Sequence, residues 1–405
     1  MFDPEKHYSK LGHTFKPSVL NTVVLAAFDL IKQGKKLISM TGGSYDVPSM
    51  PVEEVKRIFA EAPREAWSDM LQYGSTTGMS SLKNELAKFM GEAGIETDPK
   101  SEIIVTTGSQ EAIDLATRVF IDPKDVIYIG KPTYLQALSA FKTVNPEFRE
   151  VELDTDGMNT DLMEKDMKQL KSEGKSPKML YIIPSFQNPT STVLSMERRK
   201  HALELAEEYD FIIFEDNPYG YISFSGPMPK PMAAMDKSGR VMYTSTFSKI
   251  VSPGMRLGWL QGHKDFVFKM SEAKGRISIS NDGLAQYVGA EMLRRGDVAK
   301  QIPKITNVYR KKRDVMLETM ATTFPKEAKW NAPRGGLFLW VEMPELVNTT
   351  ELLGECVKRG AAYIPGSNFF AGDVHNCIRL NYSLPSEEDI VDGIQILGKL
   401  LTEQV

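Results

Sequence analysis

The chain has 405 residues, and 49 Lys+Arg against 53 Asp+Glu leave a formal net charge of −4. With 25% charged and 41% hydrophobic residues it has a globular make-up, which excludes a disordered polymer, and the near-neutral balance argues against a nucleic-acid scaffold. Two cysteines, Cys356 and Cys377, cannot frame a disulfide-built fold and suit a reducing, cytoplasmic setting. Apolar runs such as residues 23–28 are too short for a membrane span, and the N-terminus lacks the basic-then-apolar pattern of a signal peptide. Length alone allows roughly two or three domains of about 150 residues each.

From about residue 100 to 260, short β-branched or aromatic runs alternate with segments of helical periodicity. Strands are expected at 102–106, 126–129, 179–183, 211–214 and 241–243, each nearly continuous in apolar character, as in strands covered on both faces. Helices are expected at 109–120 and at 196–209, the second capped by Ser195. This βαβ alternation predicts an α/β fold with a mainly parallel, doubly wound sheet. Beyond it come a long amphipathic helix (301–324), a strand starting at Gly335-Gly-Leu-Phe-Leu-Trp-Val-Glu and a helix (350–359). Strands at 362–364 and 377–382 and a C-terminal helix from Ser386 follow, enough for a smaller α/β domain. The expected division is a large domain at 46–290, with 1–45 and 291–405 forming the small domain and N-terminal segment.

In an open parallel sheet, ligands sit outside the carboxyl ends of the strands. Thr107-Gly108-Ser109-Gln110 follows the first strand and opens a helix, an anion cradle of backbone N–H groups and a hydroxyl. Tyr134 follows the second strand, and Asn188 the third. Asp216 and Tyr219 follow the fourth. Thr246, Ser248, Lys249 and Arg256 follow the fifth. One edge thus receives an anion cradle, an aromatic ring, an amide, a carboxylate, a phenol, a lysine and an arginine. A planar, phosphorylated heteroaromatic aldehyde would use all of them, and pyridoxal phosphate is such a molecule.

This ordered set resembles the fold type I, pyridoxal-phosphate-dependent aminotransferases of class I/II, in the branch holding 2-aminoadipate, kynurenine and aromatic aminotransferases. The likeness runs from Gly42-Gly43 and Leu71-Gln-Tyr-Gly-Ser-Thr-Thr-Gly through Thr106-Thr-Gly-Ser-Gln, Phe186-Gln-Asn-Pro-Thr, Asp216-Asn-Pro-Tyr and Thr246-Phe-Ser-Lys. It continues through Ser252-Pro-Gly-Met-Arg-Leu-Gly-Trp, Gly335-Gly-Leu-Phe-Leu-Trp, Tyr363-Ile-Pro-Gly and Arg379-Leu-Asn-Tyr-Ser. The resemblance implies that Lys249 forms the Schiff base with the cofactor and then moves the proton between the substrate Cα and the cofactor. It implies that Asp216 keeps the ring nitrogen protonated, that Asn188 and Tyr219 bond the ring's phenolic oxygen, and that Tyr134 stacks on the ring. Gly108, Ser109, Gln110, Thr246, Ser248 and Arg256 would hold the phosphate, Arg379 the substrate α-carboxylate, and Gly43 would line the substrate pocket. Tyr73 matches the residue that reaches the phosphate of a neighbouring subunit, implying a homodimer with shared sites. His13 and Lys16 are candidates for a distal substrate group. The implied reaction is a ping-pong transfer from an L-amino acid to a 2-oxoacid such as 2-oxoglutarate.

Three departures bear on substrate choice: Ser191 replaces a usual Gly, Arg334 holds a variable position, and Ser44-Tyr45-Asp46 follows Gly42-Gly43. The same cofactor residues would also serve a lyase of this fold, either a carbon–sulfur β-lyase or an aminocyclopropane-carboxylate synthase. Family-like sequence within the first twenty residues leaves no room for the winged helix of an aminotransferase-like regulator. No Gly-x-Gly-x-x-Gly follows the first strand, as a nicotinamide enzyme needs, and the five histidines lack metal-ligand spacing.

Overall fold

The computed structural model describes residues 2–15, 34 and 36–405. Its centre is an eight-stranded sheet of β2 (Ile103–Thr106), β3 (Val126–Lys131), β4 (Glu147–Asp154), β5 (Gly157–Met158), β6 (Pro177–Ile182), β7 (Ile212–Asp216), β8 (Val241–Thr246) and β9 (Gly258–Gln261). Their order across the sheet is β2-β9-β8-β7-β6-β3-β4-β5. Strands β4, β3, β6, β7 and β8 are parallel. β9 runs against both β2 and β8, so β2 points the same way as β8. The carboxyl ends of all five foreseen strands therefore share one edge.

Alternate residues of these strands enter different cores. Ile127, Ile129, Met179, Tyr181 and Phe214 pack into one cluster, while Val126, Tyr128, Leu180, Ile182 and Ile213 pack into another. Both faces are covered, which is why the runs read as continuous apolar stretches. The helix Ser109–Phe120 matches its expected bounds, and Ser195 caps the helix Met196–Glu208 by accepting a bond from the Arg198 N–H. Strands β4, β5 and β9 escaped the sequence reading. β4 is half-exposed with charged residues on it, and β9 begins at the Gly-Trp end of the Arg-Leu-Gly-Trp motif.

A four-stranded antiparallel sheet, β10-β11-β14-β13, holds β10 (Lys329–Trp330), β11 (Phe338–Glu342), β13 (Ile364–Pro365) and β14 (Cys377–Asn381). The single strand expected at 362–364 is in fact broken at Tyr363. β12 (Ala361–Ala362) pairs with β1 (Ile38–Ser39), whereas β13 joins β14. Residue 290, the expected boundary, lies inside the helix Gly283–Arg294, and Gly296 in the left-handed conformation (φ +70) separates that helix from Asp297–Thr323. No helix among the described residues is long and apolar enough to cross a membrane.

Candidate active site

A cavity of ≈ 210 Å³ opens at the shared edge. Gly43, Gly108, Ser109, Gln110, Tyr134, Asn188, Asp216, Tyr219, Thr246, Ser248, Lys249, Arg256 and Arg379 line it, so the expected site residues other than Tyr73, His13 and Lys16 come together. Tyr73 is 81% exposed and is not among the lining residues. His13 is exposed beside Tyr8, also off the cavity, and Lys16 lies outside the described residues. The sequence reading missed Leu135, Ile183 and Phe338, which supply apolar wall.

At one end of the cavity the groups suit an anion. The registers Thr106↔Gly258 and Gly258↔Thr246 press the ends of β2 and β8 against β9, and a Cβ on Gly258 would lie 2.8 Å from the Gly108 Cα. Gly108 has φ +77 at the start of the helix Ser109–Phe120, and Gly108, Ser109 and Gln110 all line the cavity, so this helix begins at its wall. Arg256, itself left-handed at φ +46, donates to the Thr107 carbonyl (3.1 Å) and lies 3.5 Å from the Ser248 hydroxyl. Thr246 Oγ1 lies 2.9 Å from the same hydroxyl. A helix N-terminus, a guanidinium and hydroxyls therefore converge on one point.

Lys249 and Asp216 line the same cavity. Burial, with Arg379 and Arg256 adding repulsion, lowers the Lys249 ammonium to about 8 against the attraction of Asp216. Its Nζ donates to the Gly43 carbonyl at 2.7 Å. Burial raises the Asp216 carboxyl to about 7, although the Tyr181 phenol and Lys249 both favour its charged form. Tyr181 donates to Asp216 Oδ2 at 2.7 Å, while Oδ1 is buried without a hydrogen-bond partner.

On the far wall, Arg379 projects from β14, sits over Phe338 (4.1 Å to the ring centroid) and donates to Asn188 Oδ1 (2.9 Å) and to the Thr41 carbonyl. Asn188 in turn donates to the Tyr219 hydroxyl at 3.3 Å. Burial lowers Arg379 only to about 10, so it is a cation at neutral pH. Its Nε is buried and unpartnered, and it has no ion-pair partner among the described residues. A desolvated cation of this kind is satisfied by an incoming carboxylate.

The departures from the family pattern have structural explanations. Ser191 is left-handed (φ +56), the conformation that glycine favours, and its hydroxyl donates to the Phe338 carbonyl at 2.7 Å, fixing the strand whose ring lines the cavity. Ser44-Tyr45-Asp46 anchors the segment that carries Gly43. The Ser44 carbonyl accepts from Ser383 (2.6 Å), the Tyr45 hydroxyl from Gln301 (2.7 Å), and Asp46 pairs with buried Lys312 (2.6 Å). Arg334 is exposed, and its carbonyl accepts from the Phe224 N–H.

Residues 35–396 match the family described as Aminotransferase class I and II. An aromatic-amino-acid aminotransferase of Thermococcus litoralis is 40% identical over 404 residues, covering 100% of this chain and 96% of that one. A 2-aminoadipate transaminase of Thermus thermophilus is 31% identical, covering 92% and 91%. Among solved structures, kynurenine aminotransferase of Pyrococcus horikoshii, in complex with PMP, superposes with a TM-score of 0.94 at 37% identity, covering 100% and 98%. The chain belongs to the class I and II aminotransferases. It is a pyridoxal-phosphate-dependent aminotransferase with the fold type I architecture, and the resemblance carried by its motifs extends to the whole chain.

The residues present fit that cofactor. The unpartnered Asp216 Oδ1 is an acceptor for a protonated ring nitrogen, and the anion-suited end lies in the same cavity as the Lys249 amine.

Proposed function

We propose that the protein transfers the amino group of an L-amino acid with an aromatic, 2-aminoadipate-like or similar side chain to a 2-oxoacid, with 2-oxoglutarate as acceptor. One observation carries this: a half-buried amine, a buried carboxylate with a free oxygen, and a buried guanidinium without an ion-pair partner among the described residues line one cavity. The aromatic and 2-aminoadipate specificities named for relatives support the donor class.

Bound pyridoxal phosphate supplies an aldehyde that takes up the amino group and a ring that delocalises the electron pair left at the donor Cα. Ser109, Gln110, Thr246, Ser248 and Arg256 hold its phosphate, with Gly108 giving close backbone approach. Tyr134 covers its ring, Asn188 and Tyr219 bond its phenolic oxygen, and Asp216 holds the proton on its ring nitrogen. Arg379 grips the α-carboxylate of the donor, and the Gly43 backbone lines the space beside it. Lys249 would be the nucleophile toward the aldehyde, and its free amine would move the Cα proton. An amine at about 8 is unprotonated in about one molecule in ten at pH 7, several-hundred-fold more than at the ordinary 10.5. Phe338 and Ile183, both buried, and half-buried Leu135 give the cavity an apolar wall beside it.

The same proposal includes a homodimer, in which Tyr73 reaches the neighbouring subunit's phosphate; its exposure supports this. It includes cytoplasmic residence, supported by two buried, unpaired cysteines. It also includes a cofactor-carrying domain (46–290) and a small domain (1–45 and 291–405), supported by the confinement of the eight- and four-stranded sheets to one each. The test is a panel of L-amino acids with 2-oxoglutarate, measuring glutamate. Aromatic or 2-aminoadipate donors should give glutamate. If none does while the cofactor absorbance still responds to donors, the proposal fails.

A further inference from the structure

Asp216 has two carboxylate oxygens in different situations. Oδ1 is buried and unpartnered at the cavity, and Oδ2 accepts from the Tyr181 hydroxyl at 2.7 Å. Tyr181 is on β6 and pairs with Phe214 of β7. Side chains two apart on a strand share a face, so Tyr181 lies on the same side of the sheet as Asp216. The tyrosine is 0% exposed, with the Phe141 ring edge-on to it at 5.5 Å and Phe214 tilted beside it at 6.0 Å. Two aromatic rings thus fix where its hydroxyl points. Tyr181 does not line the cavity, so it reaches the reaction only through Asp216.

We propose that Tyr181 is a positioning residue for this aminotransferase, holding Asp216 by one oxygen so that the other stays charged and directed at the cofactor ring. The assignment rests on Asp216 being the ring-nitrogen partner. The phenol is suited to the task because burial beside the carboxylate pushes its titration well above the ordinary value, so it donates at every working pH. The groups that bear on Asp216 are Tyr181 from β6, Lys249 beyond β8, Tyr134 beyond β3 and Tyr219 beyond β7. Of these, the Tyr181 hydroxyl is the one hydrogen-bonded to it.

The test is Tyr181→Phe, which removes one oxygen and keeps both aromatic contacts. Losing a hydrogen bond to a charged group should weaken cofactor retention and lower kcat by about 10- to 100-fold, with KM for the donor within about threefold. In the cofactor-free protein, the pH at which Asp216 titrates, followed through the pH dependence of urea unfolding, should move upward. In an Asp216→Asn background, Tyr181→Phe should leave cofactor affinity unchanged within about twofold. Unaltered kcat and cofactor affinity in Tyr181→Phe would overturn the proposal. So would an equal loss of cofactor affinity in the Asp216→Asn background, which is the mark of a merely structural role. If Asp216→Asn itself left cofactor binding and turnover intact, the Asp216 assignment would fail first, and the two failures are separable.

Discussion

Replacing Asp216 by Asn should stabilise the cofactor-free protein and weaken the loaded one. Burial moves the Asp216 carboxyl from 3.8 to about 7 in the folded state. Between those values the folded protein binds a proton that the unfolded chain has released, so stability falls as pH rises through this window and levels off above it. At about 1.4 kcal/mol per pH unit, the ionised carboxylate destabilises the cofactor-free fold by roughly 4 kcal/mol above neutrality. Asn cannot ionise and escapes this fall, while still accepting from Tyr181. Urea unfolding of both cofactor-free proteins from pH 4 to pH 8.5 reads the difference directly, because groups unaffected by the substitution cancel. Near pH 4 the two should be about equally stable; near pH 8.5 the Asn variant should lead by roughly 4 kcal/mol, less whatever relaxation the native site achieves. Lys249 favours the carboxylate, so in a Lys249→Met background the fall should begin at the same pH but run on to higher pH, and the Asn variant's lead should grow. Cofactor loading should reverse the order, since a protonated ring nitrogen supplies the missing partner. A stability difference independent of pH would mean that water reaches Asp216, and the burial argument would be wrong.

Lys249→Ala should abolish the pH-dependent cofactor absorbance and cut turnover by at least about 10³-fold, since nucleophile and proton carrier go together; retention of that spectrum counts against the assignment. Arg379→Lys keeps a cation but loses the planar fork, and should raise KM for the donor by roughly 30- to 100-fold with a smaller effect on kcat; an unchanged KM would remove Arg379 from carboxylate binding. Ser191→Gly loses a bond of about 1 kcal/mol but relieves left-handed strain of about the same size, so unfolding should move by less than about 1 kcal/mol. Ser191→Ala keeps the strain and loses the bond, and should be about 1–2 kcal/mol less stable than the Gly variant; equal stabilities would show that the serine has no such balance.

What could be read from the sequence was whatever leaves a periodic or local signature. The five buried strands were legible because both their faces enter cores, and residues at their carboxyl ends gather at one edge whatever the connections do. β4 was lost because its exposed face admits charge, and β9 because four residues starting with the glycine of a motif give no period to count. The site was legible where chemistry is unusual for its place, as with a lysine or a carboxylate just past an apolar strand. Tyr181 and Phe338 gave no such signal: each looks like one more aromatic residue of a strand. Only the register that sets Tyr181 across from Phe214 turns it toward Asp216, and only the fold that brings β11 to the cavity makes Phe338 a wall. Ser191 is the instructive intermediate. Its departure from glycine was visible, but its consequence lies 147 positions away, where its hydroxyl meets the Phe338 carbonyl. A pairwise contact at that separation is fixed by topology rather than by local propensity, so the apolar wall of this cavity is written in tertiary contacts while the polar residues at its strand ends are written in motifs.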